Sequence, residues 1–125
     1  MDTAQNEQGL SRLMEQVDTL ILQHLNYLNK LEDACKKKEQ FTHKQPTECN
    51  FGKLFYTDVW SSRESFPEEV RTVVVDIEKE HQLFHATAAK INATNPSQQE
   101  IDATSACKLI LKLYHLEKLV KQHGN

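Results

Sequence analysis

Apolar residues recur every three or four positions along three long stretches of the chain, and each stretch ends where helix-breaking residues gather. From about Asn6 to Lys37 the inward stripe reads Leu10, Met14, Val17, Ile21, His24, Leu28, Leu31 and Cys35, closed by Lys36-Lys37-Lys38 at the negative end of the helix dipole. A polar stretch, Glu39 to Pro46, follows. Thr47 then offers an N-cap for a shorter helix to about Trp60, with Phe51, Leu54, Phe55 and Val59 on its apolar face and Cys49 in its first turn. Ser65 as cap and Pro67 in the first turn open a second long helix, whose stripe runs Val70, Val74, Ile77, His81, Phe84, Ala88 and Ile91. After the break at Asn92 to Pro96, Ser97 and Glu100 form a capping-box pattern. The last helix then runs through Ile101, Ser105, Leu109, Leu113, Leu116 and Val120 to an end near Gly124. The pattern predicts an all-α fold: a four-helix bundle of three long helices and one short helix carrying Cys49, in one domain over residues 1–125 with its core at about 6–122.

Composition supports this and removes several functions. With 125 residues, three glycines and three prolines, the chain fits one helical domain. A net charge of −3 with both signs interspersed gives no basic face for nucleic acid. No apolar run approaches the roughly 20 residues that span a bilayer, and the start lacks a secretion signal, so no membrane role and a cytoplasmic location are expected. Cys35, Cys49 and Cys107 are an odd number without a close pair, which suits a reducing compartment better than a disulfide framework.

The chemistry lies where the pattern is broken. His24 and His81 occupy positions that the stripes give to apolar residues, and His85 stands one turn beyond His81 on the same side. A buried imidazole without partners leaves a donor and an acceptor unpaired, at about 1–3 kcal/mol each. A metal ion resolves this by taking one nitrogen from each ring. Cys49, at a helix start where the dipole lowers the thiol pKa, supplies a thiolate. Three imidazoles and one thiolate make a closed tetrahedral set suited to zinc, with His24, Cys49, His81 and His85 as ligands. Gln82 stands where a zinc protease needs its Glu base, and no phosphate loop or nucleophile-base pair is present, so the chain reads as a non-enzyme.

His24, the segment Cys49-Asn50-Phe51-Gly52-Lys53 and the pair His81 to His85 together resemble the chemoreceptor zinc-binding domain. That family is a bacterial four-helix module with a histidine in its first helix, a Cys-x-x-Gly segment and a late His-x-x-x-His. The likeness covers about Leu10 to Val120, with two departures: Tyr27 and Leu54 stand where the family often has tryptophan. The resemblance implies a cytoplasmic bundle, often a homodimer, that binds Zn2+ through three histidines and one cysteine. It further implies a regulatory role on a chemotaxis receptor or diguanylate cyclase, here a partner in trans or part of a longer protein. Zinc occupancy, or oxidation of the cysteine by hypochlorous acid, would change its output.

Other readings stand beside this one. The zinc can be a permanent staple in a module that binds another protein. Glu78 precedes His81 at the spacing of a di-iron helix, although Ile21 leaves His24 without the matching carboxylate. His24 can be a core histidine paired with a carbonyl, and Cys49 an inert core thiol, as Cys35 and Cys107 are read. His43, His115 and His123 read as solvated, Lys108, Lys112, Lys118 and Lys121 as a solvated basic side, and Trp60 and Phe66 as packing at the bundle end.

Overall fold

The first helix, α1 (Thr3–Lys37), buries Leu10, Leu13, Val17, Leu20, His24 and Leu31, a seam whose steps alternate three and four. The structure is a computed structural model and describes residues 3–105 and 108–124. The seam sits one position away from expectation at one point: Leu13 fills the core while Met14 is 36 % exposed, and Leu20 is buried beside the expected Ile21. An average step of 3.5 keeps one face inward, and Met14, one residue past Leu13, is rotated toward its edge. Lys38, with φ 54°, ends α1. The Glu39 N–H bonds the Ala34 carbonyl at 2.9 Å, and the chain turns into the loop that leads to Cys49.

The second helix is less regular than its periodicity predicts. α2 (Asn50–Leu54) continues into a π-helical turn at Phe55–Val59 and a 3-10 segment at Trp60–Ser65. Its cap is Cys49, not Thr47, because residues 45–48 close a turn of their own, with the Glu48 N–H on the Gln45 carbonyl at 2.9 Å. Trp60 reaches back five residues to the Phe55 carbonyl, and the widened turn seats both Phe55 and Val59 in the core. Phe66 is buried and Trp60 lies under the Arg63 guanidinium at 4.0 Å, so both serve as packing.

α3 (Glu68–Ala88) follows, with Pro67 at the cap position. Ser65, expected there, instead gives its hydroxyl to the Ser62 carbonyl at 2.7 Å. The stripe of α3 is buried as the sequence predicts, from Val70 to Ala88. The expected single last helix is two: α4 (Gln98–Ser105) and α5 (Leu109–Gly124). Between them the Lys108 N–H is captured by the Glu80 carboxylate of α3 at 3.2 Å, a bond that a continuous helix would have made to its own backbone. Cys107 lies outside the described residues.

α1 packs on α5 and α2, and α3 on α5 and α4, so the all-helical fold is a four-helix bundle in which α4 and α5 together fill the place of the last helix. Among the described residues its interior holds two apolar clusters. Leu13, Phe55, Ile77 and Leu113 belong to the larger, and Leu31, Phe84, Ala88 and Ile91 to the smaller. His24 on α1 and His81 on α3 fall between them. Among the described residues no helix is long and apolar enough to cross a membrane.

Candidate metal centre

α3 carries His81 and His85 one turn apart, their ring centroids 4.7 Å apart and nearly perpendicular. α2 brings Cys49 to them: its Sγ lies 3.3 Å from His81 Nε2 and accepts the Gly52 N–H at 3.2 Å. One ligand atom from each of Cys49, His81 and His85 lies within 4.8 Å of the others, and all three residues are buried. His24 borders the same cavity from α1, its ring 4.8 Å from Phe84 and edge-on to it, but it does not join that three-residue group. The cavity measures about 300 Å³, and exposed Asn26, Lys30 and Thr42 stand among its lining residues.

The family profile described as the chemoreceptor zinc-binding domain matches residues 24–92, more than half of the chain. The chain belongs to the chemoreceptor zinc-binding domain family. The matched segment contains His24, Cys49, His81 and His85. Among curated proteins and solved structures, none matches the chain.

Membership of a zinc-binding family can be tested on this chain's own atoms. Zinc bonds of about 2.3 Å to sulfur and 2.0–2.1 Å to nitrogen put two tetrahedral donors roughly 3.3–3.6 Å apart. The 3.3 Å between Cys49 Sγ and His81 Nε2 comes within about 0.3 Å of the sulfur–nitrogen separation, the upper end of that range. His81 Nδ1 is buried with no hydrogen-bond partner, so this ring is poorly provided for as an ordinary core residue. The buried thiol and two imidazoles of this zinc-binding domain are compatible with zinc, the wider pairs closing from within 4.8 Å as the ion binds.

Burial also sets the protonation states. It lowers the pKa of His81 to about 3 and that of His24 to about 4, with the neighbouring histidines adding to the effect. His85 is lowered too, by burial first, partly offset by its bond to the Lys44 carbonyl. All three rings are thus neutral at pH 7, with lone pairs free for a metal. Cys49 corrects the expectation of a lowered thiol pKa. Burial raises it and outweighs the backbone N–H groups around Sγ, of which Gly52 contributes most. Metal binding by this thiol therefore means release of its proton.

A pH dependence follows for the metal-free domain. Unfolded histidines take up protons near pH 6.5, whereas folded His24 and His81 do so only near pH 4 and 3. In that window the unfolded chain binds more protons, so stability is full above pH 6.5 and is lost as pH falls toward the folded values. We expect the urea midpoint of chelator-treated protein to be lower at pH 5 than at pH 7.5. Equal midpoints would mean that the imidazoles are not buried in the neutral form.

Several residues at the centre were not legible as functional. The Lys44 carbonyl accepts the Nδ1–H of His85 at 2.8 Å, and backbone acceptors leave no mark in a sequence. His43, read as solvated, is half-buried with Nε2 2.8 Å from the Ile91 carbonyl. His115 is exposed as expected, and the exposed His123 stands 3.4 Å from Glu69. Cys35 is a buried core thiol. Gly52 makes room for the Pro46 carbonyl. Tyr27, at a position the family often gives to tryptophan, sets its ring edge-on to Phe84 and His85. Leu54, the second departure, is half-buried against the larger cluster.

Proposed function

We propose that residues 1–125 act as one zinc-dependent regulatory domain in which Cys49, His81, His85 and His24 hold the ion. The observation that carries this reading is the buried Cys49, His81 and His85 group inside the segment matched by a zinc-binding family. His24, on the same cavity, is the natural fourth donor. With four protein donors no position is left for a substrate, so the role proposed is regulatory and not catalytic.

The signal in this reading is zinc availability or oxidation of Cys49. Hypochlorous acid and the zinc-held thiolate would give a sulfenic acid and chloride: sulfur loses two electrons, chlorine gains them, and an S–O bond forms as the O–Cl bond breaks. A sulfur donor is thereby withdrawn, and the link from α2 to α3 weakens. The output proposed is a chemotaxis receptor or cyclic-di-GMP-synthesising partner in the cytoplasm, engaged by a homodimer of the domain. A cavity at the cluster with exposed residues in its lining favours exchange over a permanent zinc staple.

Zinc content measured on purified protein tests the reading. Wild type is expected to carry stoichiometric zinc, Cys49→Ser much less, and hypochlorous acid to release zinc to a chromophoric chelator. Absence of zinc, or a Cys49→Ser variant with wild-type content, sinks the proposal. Zinc that survives the oxidant supports instead a structural-zinc module for protein–protein interaction.

A further inference from the structure

The loop between α1 and α2 supplies the acceptor that orients one of the proposed ligands. His85 Nδ1 stands 2.8 Å from the Lys44 carbonyl. A carbonyl only accepts, so Nδ1 carries the hydrogen and Nε2 keeps the lone pair. That tautomer is the one that can present Nε2 to a metal. Yet Lys44 is exposed and sits in a stretch without regular structure, where a carbonyl has no reason to hold one direction.

Two side chains remove that freedom. The Tyr27 hydroxyl, on α1, accepts the Lys44 N–H at 3.3 Å and so holds one side of the residue whose carbonyl faces His85. His43, the preceding residue, places Nε2 2.8 Å from the Ile91 carbonyl, just beyond the end of α3. By the same logic His43 Nε2 is the donor, and its Nδ1 is left buried without a partner. A merely solvated histidine would carry no such penalty. Phe41 fills the space between the two anchors, its ring edge-on to Tyr27 at 5.5 Å and 5.2 Å from His43.

We propose that Tyr27 and His43 are positioning residues for His85: they hold the backbone at residues 43 and 44, next to the Lys44 carbonyl, so that this carbonyl fixes the His85 tautomer and leaves Nε2 facing the cluster. The clamp ties the acceptor to α1 through Tyr27 and to the end of α3, the helix that bears His85, through His43. Neither residue touches the metal in this arrangement. The proposal rests on the zinc reading above for its consequence but not for its geometry.

The test uses the full chain with His43→Leu, His43→Gln and Tyr27→Phe. In metal-free protein, NMR of isotope-labelled imidazole nitrogens reads the His85 tautomer, and competition with a chromophoric chelator reads zinc affinity. His43→Leu is expected to let the Nε2–H tautomer of His85 appear and to weaken zinc binding about tenfold, in the range for loss of an orienting partner. Tyr27→Phe should do the same more weakly, about threefold, because it gives up one surface hydrogen bond. His43→Gln, whose side-chain amide can replace the donor to Ile91, should restore both readouts. If either readout keeps its wild-type value in both His43→Leu and Tyr27→Phe, the proposal is overturned. If His43→Leu does not fold, Tyr27→Phe against wild type decides it. Should wild type bind no zinc, the zinc reading falls and the tautomer populations alone decide the positioning role.

Discussion

Replacing His81 with leucine is expected to weaken zinc binding by about a hundredfold or more, because loss of a mere orienting partner already costs about 10–100-fold. The same change should leave the metal-free fold as stable as wild type or raise its stability by about 1 kcal/mol. The two effects have opposite signs for one reason. Without metal, His81 is 1 % exposed, its Nδ1 has no partner, and burial holds its pKa near 3, so the ring is kept in place at a free-energy cost. Leucine has a similar volume and no polar atoms, and the Phe51 ring 4.5 Å away offers it an apolar neighbour. Chelator competition and urea denaturation of the metal-free protein check the pair of outcomes. A His81→Leu variant that loses stability without zinc would show that this histidine belongs to the fold and not to a metal.

The second large effect falls on a residue that is no ligand. Gly52→Ala is expected to destabilise the protein by about 3 kcal/mol, at the upper end for overpacking, and to weaken zinc binding more than tenfold. A Cβ at this position would overlap the Pro46 carbonyl oxygen, with the Pro46 carbonyl carbon at 2.9 Å and Cys49 Sγ at 3.4 Å. Backbone cannot rotate out of the way as a flexible side chain can, so the turn before α2 has to move. Cys49 moves with it, because its Sγ accepts the Gly52 N–H and approaches the Pro46 carbonyl at 3.5 Å. Helix propensity alone predicts the reverse, since alanine is favoured over glycine by about 1 kcal/mol inside a helix. Urea midpoints of the two proteins therefore discriminate by sign, and a stabilised Gly52→Ala variant would refute the close approach.

Much of this was open to a reader of the sequence, and the physical reasons are specific. Val70, Val74, Ile77, Phe84 and Ala88 were placed correctly because the period of a helix is fixed by its backbone. His24, His81 and His85 were singled out because polar residues on an apolar stripe need partners. Boundaries fared less well wherever a side chain or a loop took a backbone bond from the helix. The Lys108 N–H, just before α5, bonds Glu80 and not its own helix, and the turn at residues 45–48 moves the cap from Thr47 to Cys49.

What the sequence by itself determined is the class of the protein and the donors it offers: helices from period, imidazoles and a thiol from residue type. Tertiary structure alone decided which donors meet and in what state. Cys49 reaches His81 only because Gly52 lets the Pro46 turn close, a contact set by three-dimensional approach. The thiol's pKa rises where helix-start chemistry alone predicts a fall, because desolvation depends on everything packed around Sγ and the dipole only on its own helix. His43 and His85 likewise take their tautomers from the carbonyls of Ile91 and Lys44, and a backbone acceptor is the same atom in every residue until the fold gives it a direction.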